Sequence, residues 1–290
     1  MSAAGDGAAA VKVALLQMTS GIDPAANAET IAEAVPRAGA AGAAMLFTPE
    51  MSGLIDRDRK RAGPHVVAEA DSPVLARVRA AAAKAGVWVH IGSLAVRGEG
   101  EGEGAGERWA NRAFVIDGSG NIAARYDKIH MFDVDLATGE SWRESAAYQP
   151  GEQVVTVECP LGRLGLAICY DIRFPALFEE LGRRRCDAIA IPAAFTVPTG
   201  KAHWHLMQRA RAVEASAFVI SAAQVGHHAD GRETYGHSLV IDPWGDVLVD
   251  MGGEAAGLAL ATIDRARIAE VRRQLPSLAN KREIPRSAQP

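Results

Sequence analysis

Residues 164–175 read LGLAICYDIRFP, and this stretch decides how the rest of the chain is read. Leu164 to Ile168 is apolar and suits a buried strand. The run stops at Cys169, and a polar, turn-like group follows with Tyr170, Asp171 and Arg173. Pro175 then opens a helix, where a missing backbone N–H costs nothing. A cysteine at such a junction aims its sulfur outward while the next backbone N–H groups stay unpaired. That arrangement suits a nucleophile with an oxyanion hole beside it. A small buried apolar thiol is the other reading, and the stretch alone leaves both open.

Working outward, 153–158 and 164–168 pair as a hairpin around Cys159-Pro160-Leu161-Gly162. The helix after Cys169 runs to about Arg185, and DAIAI (187–191) is the next strand. A helix is expected from His203 to Ala217 after Thr199-Gly200, then a strand at 218–224 and a polar loop at 225–234. Residues 238–242 and 246–250 form a hairpin around Pro243-Trp244-Gly245. Leu258 to Ile263 is a last strand, and Asp264 caps a final helix.

Toward the N-terminus, VKVALLQM (11–18) and 43–47 read as buried strands separated by a helix. Asp23 caps that helix, Pro24 sits at its first position, and Pro36 predicts a kink or an end. Ser72-Pro73 starts a second helix, followed by a strand at 87–96. Strands 111–116 and 122–126 flank the turn DGSGN. The segment 131–151 reads as irregular. RGEGEGEGAGER (97–108) lacks the three-residue step of a G-x-G-x-x-G fingerprint and reads as a flexible hairpin loop.

The strands read apolar on both faces, so each sheet needs cover on both sides. An α/β fold of two mixed sheets face to face, with helices outside, meets that need. One domain is expected over 11–275, with tails at 1–10 and 276–290. The second tail could clasp a partner subunit.

The chain has 290 residues, 48% apolar and 23% charged, with a formal net charge of −4. No basic surface for nucleic acid follows from that balance. No apolar run approaches the roughly 20 residues that span a membrane, and the N-terminus lacks a secretory pattern. Three cysteines without close pairs point to a reducing, cytoplasmic setting. His203 and His205 are two apart and face opposite ways on a helix, with no carboxylate placed to complete a site. Neither a metal nor a cofactor is therefore expected.

Three groups stand where strands run out: Glu50, Lys128 and Cys169. A thiolate is the attacking species, so the cysteine must lose its proton. A carboxylate can take that proton and return it to a leaving amine. A lysine ammonium favours thiolate and stabilises a tetrahedral oxyanion. Singly, each residue has a plain reading: a solvated loop glutamate, a surface lysine, a buried thiol.

TPEM around Glu50, YDKIHMFD around Lys128 and GLAICYDIRFP around Cys169 resemble the nitrilase (carbon–nitrogen hydrolase) superfamily. The motifs stand in the family's order, and the likeness runs from about Val11 to about Leu275. The resemblance implies a Glu-Lys-Cys triad on a four-layer α-β-β-α sandwich, and homodimers or larger assemblies. It also implies a second glutamate, Glu144, to position the lysine or shuttle protons. Tyr170 would add its backbone N–H to the oxyanion hole beside Lys128.

Residues 193–214 and 222–245 resemble the Nit branch, closest to the deaminated glutathione amidases. Gln224, Gly226-His227-His228 and Tyr235-Gly236-His237 carry that likeness. It implies hydrolysis of the amide that joins 2-oxoglutarate to cysteinylglycine. Such a substrate is a small molecule bearing carboxylates, and Arg173 offers a bidentate fork for one of them. The other reading of Arg173 is an ion pair with Asp171 or a nearby glutamate. Phe195 and Thr199, on the loop after DAIAI, are expected pocket walls by the same resemblance. An ω-amidase acting on 2-oxoglutaramate, an N-carbamoyl amidohydrolase, and a binding protein with an idle site are the alternatives.

Overall fold

The computed structural model describes residues 10–98, 108–137, 139 and 141–284. Most of the 97–108 loop and of the N-terminal tail lies outside them. Twelve strands form two six-stranded sheets. The first sheet contains β1 (Val11–Gln17), β2 (Met45–Phe47), β3 (Trp88–Arg97), β4 (Trp109–Ile116) and β5 (Ile122–Asp127). The second contains β6 (Thr156–Cys159), β7 (Gly162–Leu166), β8 (Ala188–Ala190), β9 (Phe218–Ser221), β10 (Leu239–Ile241) and β11 (Val247–Asp250). The chain then returns to the first sheet as β12 (Gly257–Ile263), antiparallel to β1.

The sheet orders are β12-β1-β2-β3-β4-β5 and β11-β10-β9-β8-β7-β6. Their plans match. In the first, β2 lies parallel between β1 and β3. In the second, β8 lies parallel between β7 and β9. Ligands of such sheets collect at the carboxyl ends of the parallel strands. Glu50 follows β2, Cys169 follows β7, and Ala194 follows β8.

Period-two patterning separates the layers. Val13, Leu15, Met45, Phe47, Ala113 and Val115 face the second sheet in one core. Their neighbours Ala14, Leu16, Leu46 and Phe114 face the outer helices in another. Those helices are α1 (Pro24–Ala40) and α2 (Pro73–Ala85). On the far side, α3 (Pro175–Arg183), α4 (Val197–Ala215) and α5 (Arg265–Gln274) cover the second sheet. The result is the α-β-β-α sandwich expected from pattern and resemblance.

The helix starts follow their residues. Asp23 accepts from Ala25 N–H and Ser72 from Leu75 N–H, side-chain caps worth about 1 kcal/mol each. Pro36 neither ends nor splits α1. Its ring is exposed, while Ile31, Ala32, Val35 and Ala38 are buried. A helical proline costs about 3 kcal/mol, and burying Ile31 and Val35 returns roughly 1.5–3 kcal/mol each.

Three expectations need correction. Helix α4 begins at Val197, so Thr199 lies in its first turn and not on a loop. Residues 131–151 are not wholly irregular: Asp133–Asp135 and Ser141–Arg143 pair as an antiparallel ribbon. The polar stretch 225–234 likewise contains Val225–His227, paired with Glu233–Tyr235. Beyond α5, Ser277–Asn280 form a further helical turn. Leu278 lies against Gly182 of α3, and Lys281 pairs with Glu179 on the same helix.

Candidate active site

Cys169 sits in a left-handed backbone conformation, φ 47°, between β7 and a short 3-10 turn. Met51, directly after Glu50, has φ 55°. A non-glycine residue held there costs about 1 kcal/mol or more and persists only where its surroundings fix it. Cys169 N–H donates to Pro192 O at 2.9 Å. Asp171, fully buried, accepts from Ile168 N–H at 2.9 Å and His130 N–H at 3.0 Å. The same carboxylate is 2.7 Å from His130 Nδ1 and accepts the Tyr126 hydroxyl at 2.7 Å. Asp171 is therefore committed to holding the turn. No ion pair joins it to Arg173 among the described residues.

Lys128 is 2% exposed and Glu50 5%. Lys128 Nζ donates to Glu50 Oε1 at 2.9 Å and to Glu144 Oε2 at 2.8 Å, with Glu144 Oε1 at 3.1 Å. Burial opposes the ammonium, but Glu144 and Glu50 outweigh it and hold the lysine pKa well above its ordinary value. Glu144 is fixed in turn by Phe132 N–H at 2.6 Å. Glu50 Oε2 accepts Ala194 N–H at 3.0 Å. The Gln224 side chain braces the Glu50 carbonyl at 2.9 Å and Ser20 Oγ at 2.7 Å.

The Cys169 thiol is buried beside the Glu50 carboxylate, at the floor of the same cleft. Burial and the Glu50 charge push its pKa well above the usual thiol value, against the pull of Lys128. Lys128 pulls toward thiolate, as the sequence reading has it, but burial and Glu50 outweigh that pull and favour the protonated thiol.

A cleft of about 500 Å³ opens above these groups. Glu50, Lys128, Glu144, Cys169, Tyr170, Arg173, Phe195 and Thr199 all line it, so the residues expected to act on or bind substrate meet in one place. The Arg173 guanidinium lies 5.6 Å from the Phe195 ring and 5.8 Å from that of Tyr170. Its nitrogens sit 3.4 Å from His203 Nδ1, and no carboxylate pairs with it among the described residues. His205 points elsewhere: its Nε2 is 2.9 Å from Asp250, which also meets His237 Nδ1 at 2.9 Å. A carboxylate thus does lie beside His205, contrary to the sequence reading. It arrives from β11, 45 residues away in the chain.

Several site residues escaped the sequence reading. Asn111 Nδ2 donates to Glu50 Oε1 at 3.0 Å and Glu144 Oε1 at 3.1 Å. Its signal was present: asparagine is poorly suited to strands, yet Asn111 stands in one, paired two residues from Tyr126's partner Ala113. Ala194 offers only a backbone N–H and gave no signal. Trp142 and Arg232 lie on the ribbons that were read as irregular or looped. Gly92 fits because a Cβ there would stand 2.2 Å from Thr48 O and 2.5 Å from Pro192 Cβ. That close approach brings the ends of β2 and β8 together.

Fold and site together set a buried cysteine beside a buried carboxylate–ammonium pair at strand ends. Residues 12–273 match the carbon–nitrogen hydrolase family, and the chain belongs to it. It is accordingly a hydrolase acting on carbon–nitrogen bonds. The deaminated glutathione amidase of Yersinia enterocolitica is 36% identical over 273 residues, covering 94% of this chain and 93% of that protein. The human protein of the same name is 35% identical over 271 residues, covering 93% and 82%. Among solved structures, the NitFhit protein of Caenorhabditis elegans superposes with a TM-score of 0.83 at 32% identity. That match covers 94% of this chain and 65% of the NitFhit chain. No described helix is long and apolar enough to cross a membrane.

Proposed function

We infer that this protein hydrolyses the amide of deaminated glutathione, giving 2-oxoglutarate and cysteinylglycine through a thioester. The observation that carries the reading is Lys128 bonded to both Glu50 and Glu144 at the floor of a cleft that Cys169 and Arg173 also line. The relatives named for that activity support the substrate.

In the first step sulfur attacks the amide carbon as Glu50 takes the thiol proton. The carbonyl oxygen gains the charge. Lys128 meets Glu50 through one oxygen and Glu144 through both, and one proton shared between the two Glu144 oxygens leaves another for the oxyanion. Tyr170 N–H, in the first turn of the 3-10 segment where helical N–H groups lack internal partners, is the second donor. Glu50 then protonates the nitrogen, the C–N bond breaks, and cysteinylglycine departs. Water, deprotonated by Glu50, attacks the thioester. The C–S bond breaks, 2-oxoglutarate leaves, and the proton returns to sulfur. Glu144 keeps Lys128 charged and placed throughout, and Arg173 takes a substrate carboxylate.

Residues 11–275 act as one domain in this reading. Three free cysteines fit a reducing cytoplasm. Exposed Leu206, Trp244 and Leu248 fit a homo-oligomer.

Side-by-side assays of cysteinylglycine release from deaminated glutathione and ammonia release from 2-oxoglutaramate test the substrate. Higher kcat/KM on deaminated glutathione is expected, and a strong preference for the simple amide would move the protein to the ω-amidase reading. Cys169→Ala should abolish turnover, and acid quench of the wild type during turnover should show a Cys169 adduct with the mass of a 2-oxoglutaryl group. Persistent hydrolysis in Cys169→Ala would remove the nucleophile assignment.

A further inference from the structure

The cleft carries a second cationic pole that the mechanism leaves unused. Arg232 and Arg57 lie on the Trp142 ring, at 4.9 and 5.8 Å from its centroid. All three line the same cleft as Cys169. Arg173 has a different set of neighbours, so the two poles are separate.

Arg232 is held in advance. Its Nε donates to Asp230 Oδ2 at 2.8 Å, and Asp230 Oδ1 accepts the Arg232 N–H at 3.1 Å. The Asp230 side chain is fully buried and that of Arg232 is 17% exposed. The aspartate takes the side of the guanidinium away from Nη1 and Nη2. Among the described residues no carboxylate bonds those two nitrogens.

Local charge agrees with an anion site. Arg57 and Arg232 share the single charge of Asp230, which Arg57 meets through its N–H at 2.8 Å and its Nε at 3.9 Å. Asp56 is taken by both guanidinium bonds of Arg61, at 2.6 and 2.8 Å. Glu233 stands 3.7 Å from His227. Arg232 thus offers Nη1 and Nη2 on a planar fork whose orientation is already fixed by Asp230. Such a fork meets a carboxylate with two parallel bonds and little further loss of freedom.

We propose that Arg232, with Arg57 beside it, is a carboxylate subsite for the C-terminal carboxylate of the departing peptide. The assignment rests on the substrate inferred above. The leaving group must exit while the acyl group stays on sulfur. The Arg57 side chain is 50% exposed and marks the open side of the cleft. Arg173, four residues from Cys169 in the same turn, then serves the acyl half. The cleft selects amides that carry an acid on each side of the scissile bond, and it discriminates against a bare 2-oxo-amide.

The test compares deaminated glutathione with its analogue ending in glycinamide, which differs only in that carboxylate. The wild type should favour the acid by about 10–100-fold in kcat/KM, the size of a charged bidentate contact. In Arg232→Gln that ratio should fall to within about twofold of one, with the change mainly in KM. Arg232→Lys keeps a partner for buried Asp230 but loses the fork, and should give an intermediate ratio. Arg57→Gln, at an exposed position, supplies a smaller drop should Arg232→Gln fail to fold. Equal use of acid and amide by the wild type, or an unchanged ratio in these variants, overturns the subsite. Absence of turnover on either compound would instead sink the substrate assignment. Calorimetry of cysteinylglycine and its amide on the wild type then reads the subsite directly: tighter, Arg232-dependent binding of the acid supports it, and equal affinities overturn it.

Discussion

The Tyr126 hydroxyl donates to Asp171 Oδ2 at 2.7 Å, and this bond joins the two sheets at the site. Tyr126 lies on β5, two residues before Lys128. Asp171 lies two residues after Cys169. The bond therefore sets how far the ammonium sits from the sulfur. Burial, with the Asp171 charge beside it, raises the Tyr126 pKa and keeps this donor protonated.

Tyr126→Phe removes that donor and leaves Asp171 with three others. A loss of about 1.5–3 kcal/mol in denaturant stability is expected, the scale of a hydrogen bond to a charged group. A fall of about tenfold in kcat should accompany it, with KM nearly constant, since displaced reacting groups lose rate steeply. Unaltered kcat in a destabilised variant would show that Asp171 holds the turn without help from β5.

Among the described residues, Asn111 is the one neutral donor that touches both carboxylates around Lys128. Its Oδ1 is buried without a partner among the described residues. The opposite amide orientation would put that oxygen against two carboxylates, so the network fixes the amide. Asn111→Ala should lower kcat about 10–100-fold with KM nearly constant, because the two carboxylates that place Lys128 lose their shared clamp. Unchanged kcat in a folded variant would reduce Asn111 to a packing role.

His90 on β3 is fully buried, and neither ring nitrogen has a partner among the described residues. Burial lowers its pKa from 6.5 to about 3. The unfolded chain thus binds a proton that the folded chain refuses. Stability from this group is full above pH 6.5 and drains away as pH falls from 6.5 toward 3, by on the order of a few kcal/mol. His90→Leu should flatten that part of the stability curve, followed as melting temperature against pH. A variant with the wild-type slope would show that other groups drive the acid loss.

Local chemistry made much of this protein legible. Asp23-Pro24 and Ser72-Pro73 announced α1 and α2, and strands apolar on both faces announced two sheets covered on both sides. The start of α4 was misread because Pro198 and Gly200 look like breakers. Proline is harmless in a first turn, where its N–H would go unused. Gly200 is there for packing: a Cβ would stand 2.3 Å from the Tyr235 ring. The paired ribbons were invisible for a related reason. Each strand is only three residues long, too short for a period to show.

Sequence by itself singled out Glu50, Lys128 and Cys169 as the candidate reacting groups, because a strand followed by a turn is a local pattern and its last residue can be named. Tertiary structure decided their state. Both carboxylates reach Lys128 from distant segments, Asn111 clamps them, and Cys169 rests as a thiol because burial and Glu50 outweigh the lysine. Tertiary structure also decided that Arg232, on a ribbon 63 residues past Cys169, would share its cleft. Charge states and cleft walls depend on through-space distance and on exclusion of water. A one-dimensional pattern fixes neither.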